Sequence, residues 1–115
     1  MRDEKTKKEM LSQYRELKIV GGVYLIKNAV NNRILLDCNV NIEGAKNRFD
    51  FSKKTGSCVN MKLQKDWNQH GADSFSFEIL EELQKNENQT TTEFKKDIAL
   101  LKEMWQQKLK DEDLY

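Results

Sequence analysis

Residues 21–38 constrain the fold more than any other part of the sequence, because they contain two apolar runs separated by a turn. The runs, residues 23–27 and 33–36, are rich in branched and aromatic side chains, a composition typical of β-strands. The intervening residues 28–32 read Asn-Ala-Val-Asn-Asn, and asparagine tolerates the left-handed backbone that tight turns require. Local rules alone therefore predict a β-hairpin.

Four further segments predict helices. Residues 3–17 carry apolar side chains at helical spacing among charges, which indicates an N-terminal helix that either docks on the domain or remains a frayed arm. Residues 41–51 begin with a suitable N-cap, Asn41. Residues 60–69 are followed, after one histidine, by a glycine that can end a helix. A capping box, Thr90 to Glu93, begins a last helix that is expected to bury one apolar stripe: Phe94, Ile98, Leu101, Trp105 and Leu109.

The remaining segments predict a third strand and two loops. Residues 75–80 alternate between apolar and polar side chains, which is the pattern of a strand with one buried face. Residues 52–57 and 84–89 have the polar composition of loops. We therefore expect an N-terminal helix or arm over residues 1–18 and a single domain over residues 19–115.

Composition narrows the range of functions. Of the 115 residues, 34% are charged, and the formal net charge is +1, so any nucleic-acid-binding patch must be local. The sequence has no run of about 18 apolar residues, and its charged start does not have the pattern of a signal peptide. The missing apolar run means that we expect no membrane partner. Cys38 and Cys58 lack metal-ligand spacing, and because no export signal is found we expect reduced thiols and a cytoplasmic location.

The hairpin resembles the first two motifs of the GIY-YIG nuclease family. Gly22-Val23-Tyr24 stands at the first motif, and Leu35-Leu36-Asp37 stands at the second. Three further features follow in the family's order. They are the run Lys-Leu-Gln-Lys-Asp-Trp-Asn-Gln-His-Gly at residues 62–71, the third strand with its Glu-Glu pair, and the last helix with its tryptophan. The resemblance implies an α/β domain of the α+β type, in which helices flank a three-stranded antiparallel sheet, here with an extra N-terminal helix.

The resemblance also implies a chemistry, since the family hydrolyses DNA with one divalent metal ion. A tyrosine pair activates the attacking water, an arginine stabilises charge on the phosphate, histidines assist proton transfer and a glutamate binds the metal. Tyr24 matches the first tyrosine, either as a remnant of the catalytic site or as a packing residue. The other positions carry residues of a different chemistry: Leu35 for the second tyrosine, Ala45 for the arginine, Phe49 and Cys58 for histidines, and Lys102 for the glutamate.

Three assignments have alternatives. A one-residue shift of the last helix would place Glu103 at the metal position, although a helical wheel puts Lys102 beside the apolar stripe and Glu103 away from it. Arg48 lies one helical turn beyond Ala45 and either replaces the missing arginine or contacts a phosphate. His70 fits a turn or surface role better than a role as acid or base.

Basic side chains are concentrated on the hairpin and the two helices that follow it. They are candidates for contacts with nucleic acid: Arg33, Lys46, Arg48, Lys53, Lys54 and Lys62. Acidic residues occur in the same segments, so a mixed charged surface is the alternative.

Three functions are compatible with these observations. The first is a catalytically degenerate GIY-YIG-like domain that has no cofactor and binds DNA or another protein. The second is an active DNA endonuclease that uses Mg²⁺ or Mn²⁺ with displaced residues. The third is a structural or oligomerisation role through the terminal helices. The simultaneous replacement of several catalytic residue types favours the first function.

Overall fold

The chain folds around a three-stranded antiparallel sheet in a computed structural model that describes residues 19–58 and 60–115. The strand order is β2-β1-β3, with β1 at Val20–Asn28, β2 at Ile34–Asn39 and β3 at Phe75–Gln84. The predicted sheet is thus confirmed. The helix that the sequence predicts over residues 3–17 lies outside the described residues.

The predicted hairpin joins β1 to β2, and its register places Tyr24 opposite Asp37. Asparagine stabilises the turn in two ways. The side chain of Asn28 accepts a hydrogen bond from the amide of Val30 at 3.0 Å, and Asn32 adopts the left-handed conformation with a φ of 62°. Asparagine adopts this conformation more readily than most residues, which explains why the composition of the turn predicted the hairpin.

Helices flank the sheet on both faces. The structure contains α1 at Ile42–Thr55, α2 at Gln64–His70 and α3 at Thr91–Lys108. Short 3₁₀ turns at Met61–Leu63 and Ala72–Ser74 lead into and out of α2. The predicted caps are present, because Asn41 accepts from the amide of Gly44 and Thr90 accepts from the amide of Glu93.

Helix α1 is longer than the sequence predicts. Residues 52–57 have the composition of a loop, yet α1 continues through residue 55 and ends at Gly56, whose φ is 77°. The hydroxyl of Ser52 is buried and donates to the carbonyl of Arg48 within the helix, so its polarity does not disturb the helical backbone. Two cations in the last turn interact favourably with the helix dipole: Lys53 and Lys54.

Different helices cover the two faces of the sheet. On one face, Ile26 and Leu35 pack with buried side chains from α1, α2 and their neighbours: Phe49, Leu63, Trp67 and Phe75. On the other face, α3 approaches through Phe94 and Ile98. A Cβ atom at Gly21 would lie 3.0 Å from both side chains, so glycine permits this close packing. Burial of each large apolar side chain stabilises the fold by about 1.5–3 kcal/mol.

The third strand also extends beyond its predicted end. A β-bulge leaves Leu80 unpaired between Ile79 and Glu81, which interrupts the alternating pattern, and the strand then continues through residue 84. Glu81 accepts a hydrogen bond from the indole of Trp105 at 3.0 Å, so this tryptophan packs toward the sheet as predicted. The outer part of the apolar stripe of α3 is only half-buried: Leu101, Trp105 and Leu109.

Residues 113–115 add a short parallel bridge to the edge of β2, a feature that the sequence did not predict. The amide of Tyr115 donates to the carbonyl of Ile34 at 2.9 Å. The Tyr115 hydroxyl donates to Asp66 at 2.6 Å and accepts from the buried amide of Asn28 at 3.1 Å. This tyrosine therefore links the hairpin turn to α2.

The substitution Tyr115→Phe should lower the free energy of unfolding by about 1–3 kcal/mol, because the buried Asn28 amide loses its acceptor. The phenylalanine keeps the ring on which the Arg33 guanidinium stacks, so the substitution isolates the hydroxyl. Urea unfolding followed by circular dichroism measures the change. A variant as stable as the wild type would contradict a structural role for this hydroxyl.

The same contact predicts a pH dependence. The hydrogen bond from Tyr115 holds the pKa of the Asp66 carboxyl below its usual value. A carboxyl of this kind adds stability above its unfolded pKa of about 3.9, and that stability is lost as the pH falls through the folded value. The stability difference between wild type and Tyr115→Phe should therefore be larger at about pH 6 than at about pH 3. A difference that grows on acidification would contradict this account.

Candidate functional site

A cavity of about 380 Å³ opens between the hairpin and α1, a volume in the range of small-ligand pockets. The strands and α1 contribute polar groups to its lining: Tyr24, Asp37, Asn39 and Arg48. The apolar wall consists of side chains that also belong to the core or border it: Leu35, Ala45, Phe49 and Phe77. The cavity thus combines a hydrophobic floor with a few polar groups.

Tyr24 is one of the polar residues that line this cavity. Its ring stacks on Phe77 with centroids 4.6 Å apart, and its hydroxyl donates to Asp37 at 3.4 Å. Burial, together with the Asp37 carboxylate, raises the pKa of Tyr24 to about 12, and Arg48 opposes the rise. A phenol with this pKa keeps its proton at neutral pH, so Tyr24 is a hydrogen-bond donor there rather than a base.

Asp37 is the acidic group of the cavity, and several groups contact its carboxylate. Oδ1 accepts from the amide of Cys38 at 2.8 Å and lies 3.8 Å from Nζ of Lys102. Oδ2 accepts from Tyr24. Burial raises the pKa of the Cys38 thiol, and the ammonium of Lys102 opposes that rise. Asp37, the last residue of the second motif, is therefore ion-paired with Lys102, the residue predicted at the glutamate position.

The structure separates Lys102 from Glu103. Lys102 is half-buried beside Asp37, whereas Glu103 is exposed on a different side of α3, next to Leu100 and Met104. Leu100 and Met104 are themselves exposed, at 58% and 52%. The suggestion that the terminal helices bind a protein partner remains a prediction.

The other positions implied by the family resemblance are part of the apolar packing. Leu35, Ala45 and Phe49 are buried at 4%, 6% and 3% exposure, and all three line the cavity. Cys58 packs against the same core, and its thiol donates to the carbonyl of Asn60 at 3.0 Å. At these four positions the structure has side chains that pack in or against the apolar core.

The predicted basic residues do not form a single cluster. Arg48 lines the cavity near Tyr24, and Lys53 lies 5.7 Å above the Phe49 ring. Arg33 lies elsewhere, where it pairs with Asp113 at 3.4 Å. Lys46 lines a separate groove, and two lysines are exposed: Lys54 and Lys62. His70 is the last residue of α2 and does not line the cavity.

Sequence reasoning missed several residues at the cavity, among them Phe51 and Asn60. Phe51 is 67% exposed although it is aromatic. The signal that could have identified it is its position one helical turn after Arg48, on the side of α1 next to the cavity. The sequence predicts Asn60 only as the start of a helix, and its side chain does accept from the amide of Lys62.

The donor groups of the cavity do not fit the divalent metal ion that the family resemblance implies. Hard divalent cations prefer several oxygen ligands, commonly carboxylates. Asp37 is the one carboxylate among the described residues that line the cavity, and the Lys102 ammonium already compensates its charge. Within residues 19–58 and 60–115, no three His, Cys, Asp or Glu side chains are grouped so that they could hold a metal.

Two solved structures are similar to this chain. The catalytic domain of homing endonuclease I-TevI matches with a TM-score of 0.56 and 28% identity, over 78% of this chain and 88% of that chain. A glutamate-to-alanine mutant of the catalytic domain of intron endonuclease I-TevI matches with a TM-score of 0.57 and 27% identity, over 79% of this chain and 84% of the other. The chain has the fold of a GIY-YIG nuclease catalytic domain.

The GIY-YIG fold confirms the resemblance that the hairpin, the 62–71 run and the last helix indicated. No protein-family model and no curated protein matches the chain. Among the described helices of this GIY-YIG fold, none has the length and apolar character needed to cross a membrane.

The substitution Asp37→Asn should lower the pKa of Tyr24 from about 12 toward 10.0, because it removes the carboxylate that disfavours the phenolate. Burial remains, so the value should stay above 10.0. The ¹³Cζ chemical shift of labelled tyrosine reports ionisation during a pH titration, and the Tyr24→Phe variant assigns the signal. An unchanged or higher pKa in Asp37→Asn would show that the carboxylate does not act on this hydroxyl.

Proposed function

We propose that this GIY-YIG-fold domain binds DNA at the mouth of the cavity and does not cut it. The observation that carries the proposal is the ion pair between Lys102 and Asp37. Nζ of Lys102 lies 3.8 Å from Oδ1 of Asp37, and Tyr24 donates a hydrogen bond to the same carboxylate. In this proposal, an internal ammonium takes the place of a divalent cation. Arg48, Lys53 and Lys54 then provide contacts to phosphates.

The absence of cleavage follows from the chemistry of the replaced residues. Tyr24 holds its proton at neutral pH, and Leu35 supplies no second hydroxyl. Loss of a charge-stabilising donor typically costs about 10²–10³ in rate, and loss of a general base costs about 10²–10⁴. These effects are not additive, but the corresponding positions carry apolar side chains at Leu35, Ala45 and Phe49 and an ammonium at Lys102.

Binding of DNA requires a less precise arrangement of side chains than cleavage of DNA does. Phosphate contacts need cations that can approach a backbone, without a precise catalytic geometry. Arg48 is exposed at the cavity, and the last turn of α1 carries two more cations: Lys53 and Lys54. The two similar structures are both endonuclease catalytic domains, which supports nucleic acid as the ligand of this fold.

The wild-type protein should leave supercoiled plasmid intact in the presence of Mg²⁺ or Mn²⁺, because the cavity offers one compensated carboxylate to a metal. Gel electrophoresis of the plasmid after incubation measures nicking. Nicking activity that copurifies with the protein and is lost in Tyr24→Phe would contradict the proposal and favour an active endonuclease. The Glu103→Ala variant tests the shifted assignment in the same assay.

Binding to DNA should weaken steeply with salt. The logarithm of the binding constant falls with the logarithm of salt concentration by about 0.9 for each duplex phosphate neutralised. Replacement of Arg48, Lys53 and Lys54 by alanine should therefore reduce the slope by up to about 3. A matched triple variant with the same charge change, at Lys85, Lys96 and Lys110, should keep the wild-type slope. Equal slopes for both triple variants, or no binding to any DNA at low salt, would contradict the proposal.

A further inference from the structure

Phe51 is the most exposed aromatic residue that lines the cavity, at 67%. Two cations lie one helical turn from it on α1, Arg48 before it and Lys54 after it. Single exposed apolar residues are common on protein surfaces and require no explanation by themselves. This one differs because it stands at the mouth of a cavity and between two positive charges.

The groups inside the cavity suit a planar polar ligand. Tyr24 presents a neutral hydroxyl, and the side chains of Asn39 and Asn60 supply amide groups. The floor beneath them is aromatic, with Phe49 and Phe77 centroids 5.6 Å apart. A nucleobase has both properties that this lining matches, a π-face for aromatic side chains and an edge with hydrogen-bond donors and acceptors.

We propose that the cavity mouth binds an unpaired nucleotide of DNA, with the base stacked on Phe51 and the adjoining phosphates on Arg48 and Lys54. This inference rests on the proposed DNA-binding function and specifies its ligand as single-stranded. Bases in a duplex are already stacked and paired, so their faces are not accessible to Phe51 without base flipping. The charge of the two flanking cations complements the phosphates on either side of such a base.

The test compares two oligomers that carry the same number of phosphates, an oligothymidylate and an abasic oligomer of equal length. Fluorescence anisotropy with labelled strands gives the affinity of the full chain for each. Stacking of one base on an aromatic side chain corresponds to roughly a 5- to 150-fold difference in affinity. We expect oligothymidylate to bind more tightly than the abasic oligomer by a factor in this range.

Phe51→Ala should abolish the preference for oligothymidylate and leave the affinity for the abasic oligomer unchanged. Phe51→Trp should retain the preference, because tryptophan keeps an aromatic face. The matched control is Leu100→Ala, which removes a similarly exposed apolar side chain, 58% accessible, on α3. This control should behave as the wild type. Since Phe51 is exposed on a helix and alanine is a strong helix former, Phe51→Ala should fold normally.

The outcomes separate this inference from the function on which it rests. Equal, salt-dependent affinity of the wild type for both oligomers would overturn the stacking of a base and leave DNA binding intact. A preference for oligothymidylate that persists in Phe51→Ala would likewise overturn the role of Phe51. Absence of binding to both oligomers and to duplex DNA at low salt would overturn the proposed function together with this inference.

Discussion

The antiparallel register of β1 and β2 is the constraint on which the candidate site depends. It places Tyr24 directly opposite Asp37, so that the hydroxyl and the carboxylate meet at 3.4 Å. A shift by one residue would turn either side chain to the other face of the sheet. Asp37 also lies 3.8 Å from Lys102, which α3 contributes. The hairpin therefore sets the pairing of Tyr24 with Asp37, and α3 adds the cation beside it.

The ion pair between Asp37 and Lys102 is better understood as an occupant of the site than as a source of stability. Both side chains are about one third exposed, and pairs of this kind contribute about 0–1 kcal/mol. Most of the stability instead comes from the apolar packing of both sheet faces. In our proposal the pair nevertheless changes what the cavity can bind, since it places an ammonium 3.8 Å from the carboxylate. In our proposal, the presence of this ammonium where a metal ion would bind explains why the domain binds DNA and does not cut it.

The sequence predicted those parts of the fold that depend on local patterns. The asparagine-rich turn, the alternation of β3 and the capping box at Thr90 each act within a few residues, and all three are present. The helical wheel also separated Lys102 from Glu103 correctly in orientation, because the apolar stripe of α3 faces the sheet. Features that depend on tertiary contacts were missed. The bridge made by residues 113–115, the pairing of Lys102 with Asp37 and the place of Phe51 at the cavity all join segments distant in sequence.

The most direct test of the central claim is a titration of ¹⁵N-labelled protein with Mn²⁺, which broadens the amide signals of residues near a bound ion. We predict that the wild type shows no selective broadening at the amides of Tyr24, Asp37 and Cys38 at millimolar Mn²⁺. The variant Lys102→Glu provides a positive control, because it places a second carboxylate beside Asp37 and should produce broadening centred there. Selective broadening of these signals in the wild type would contradict the claim that Lys102 takes the place of a metal ion.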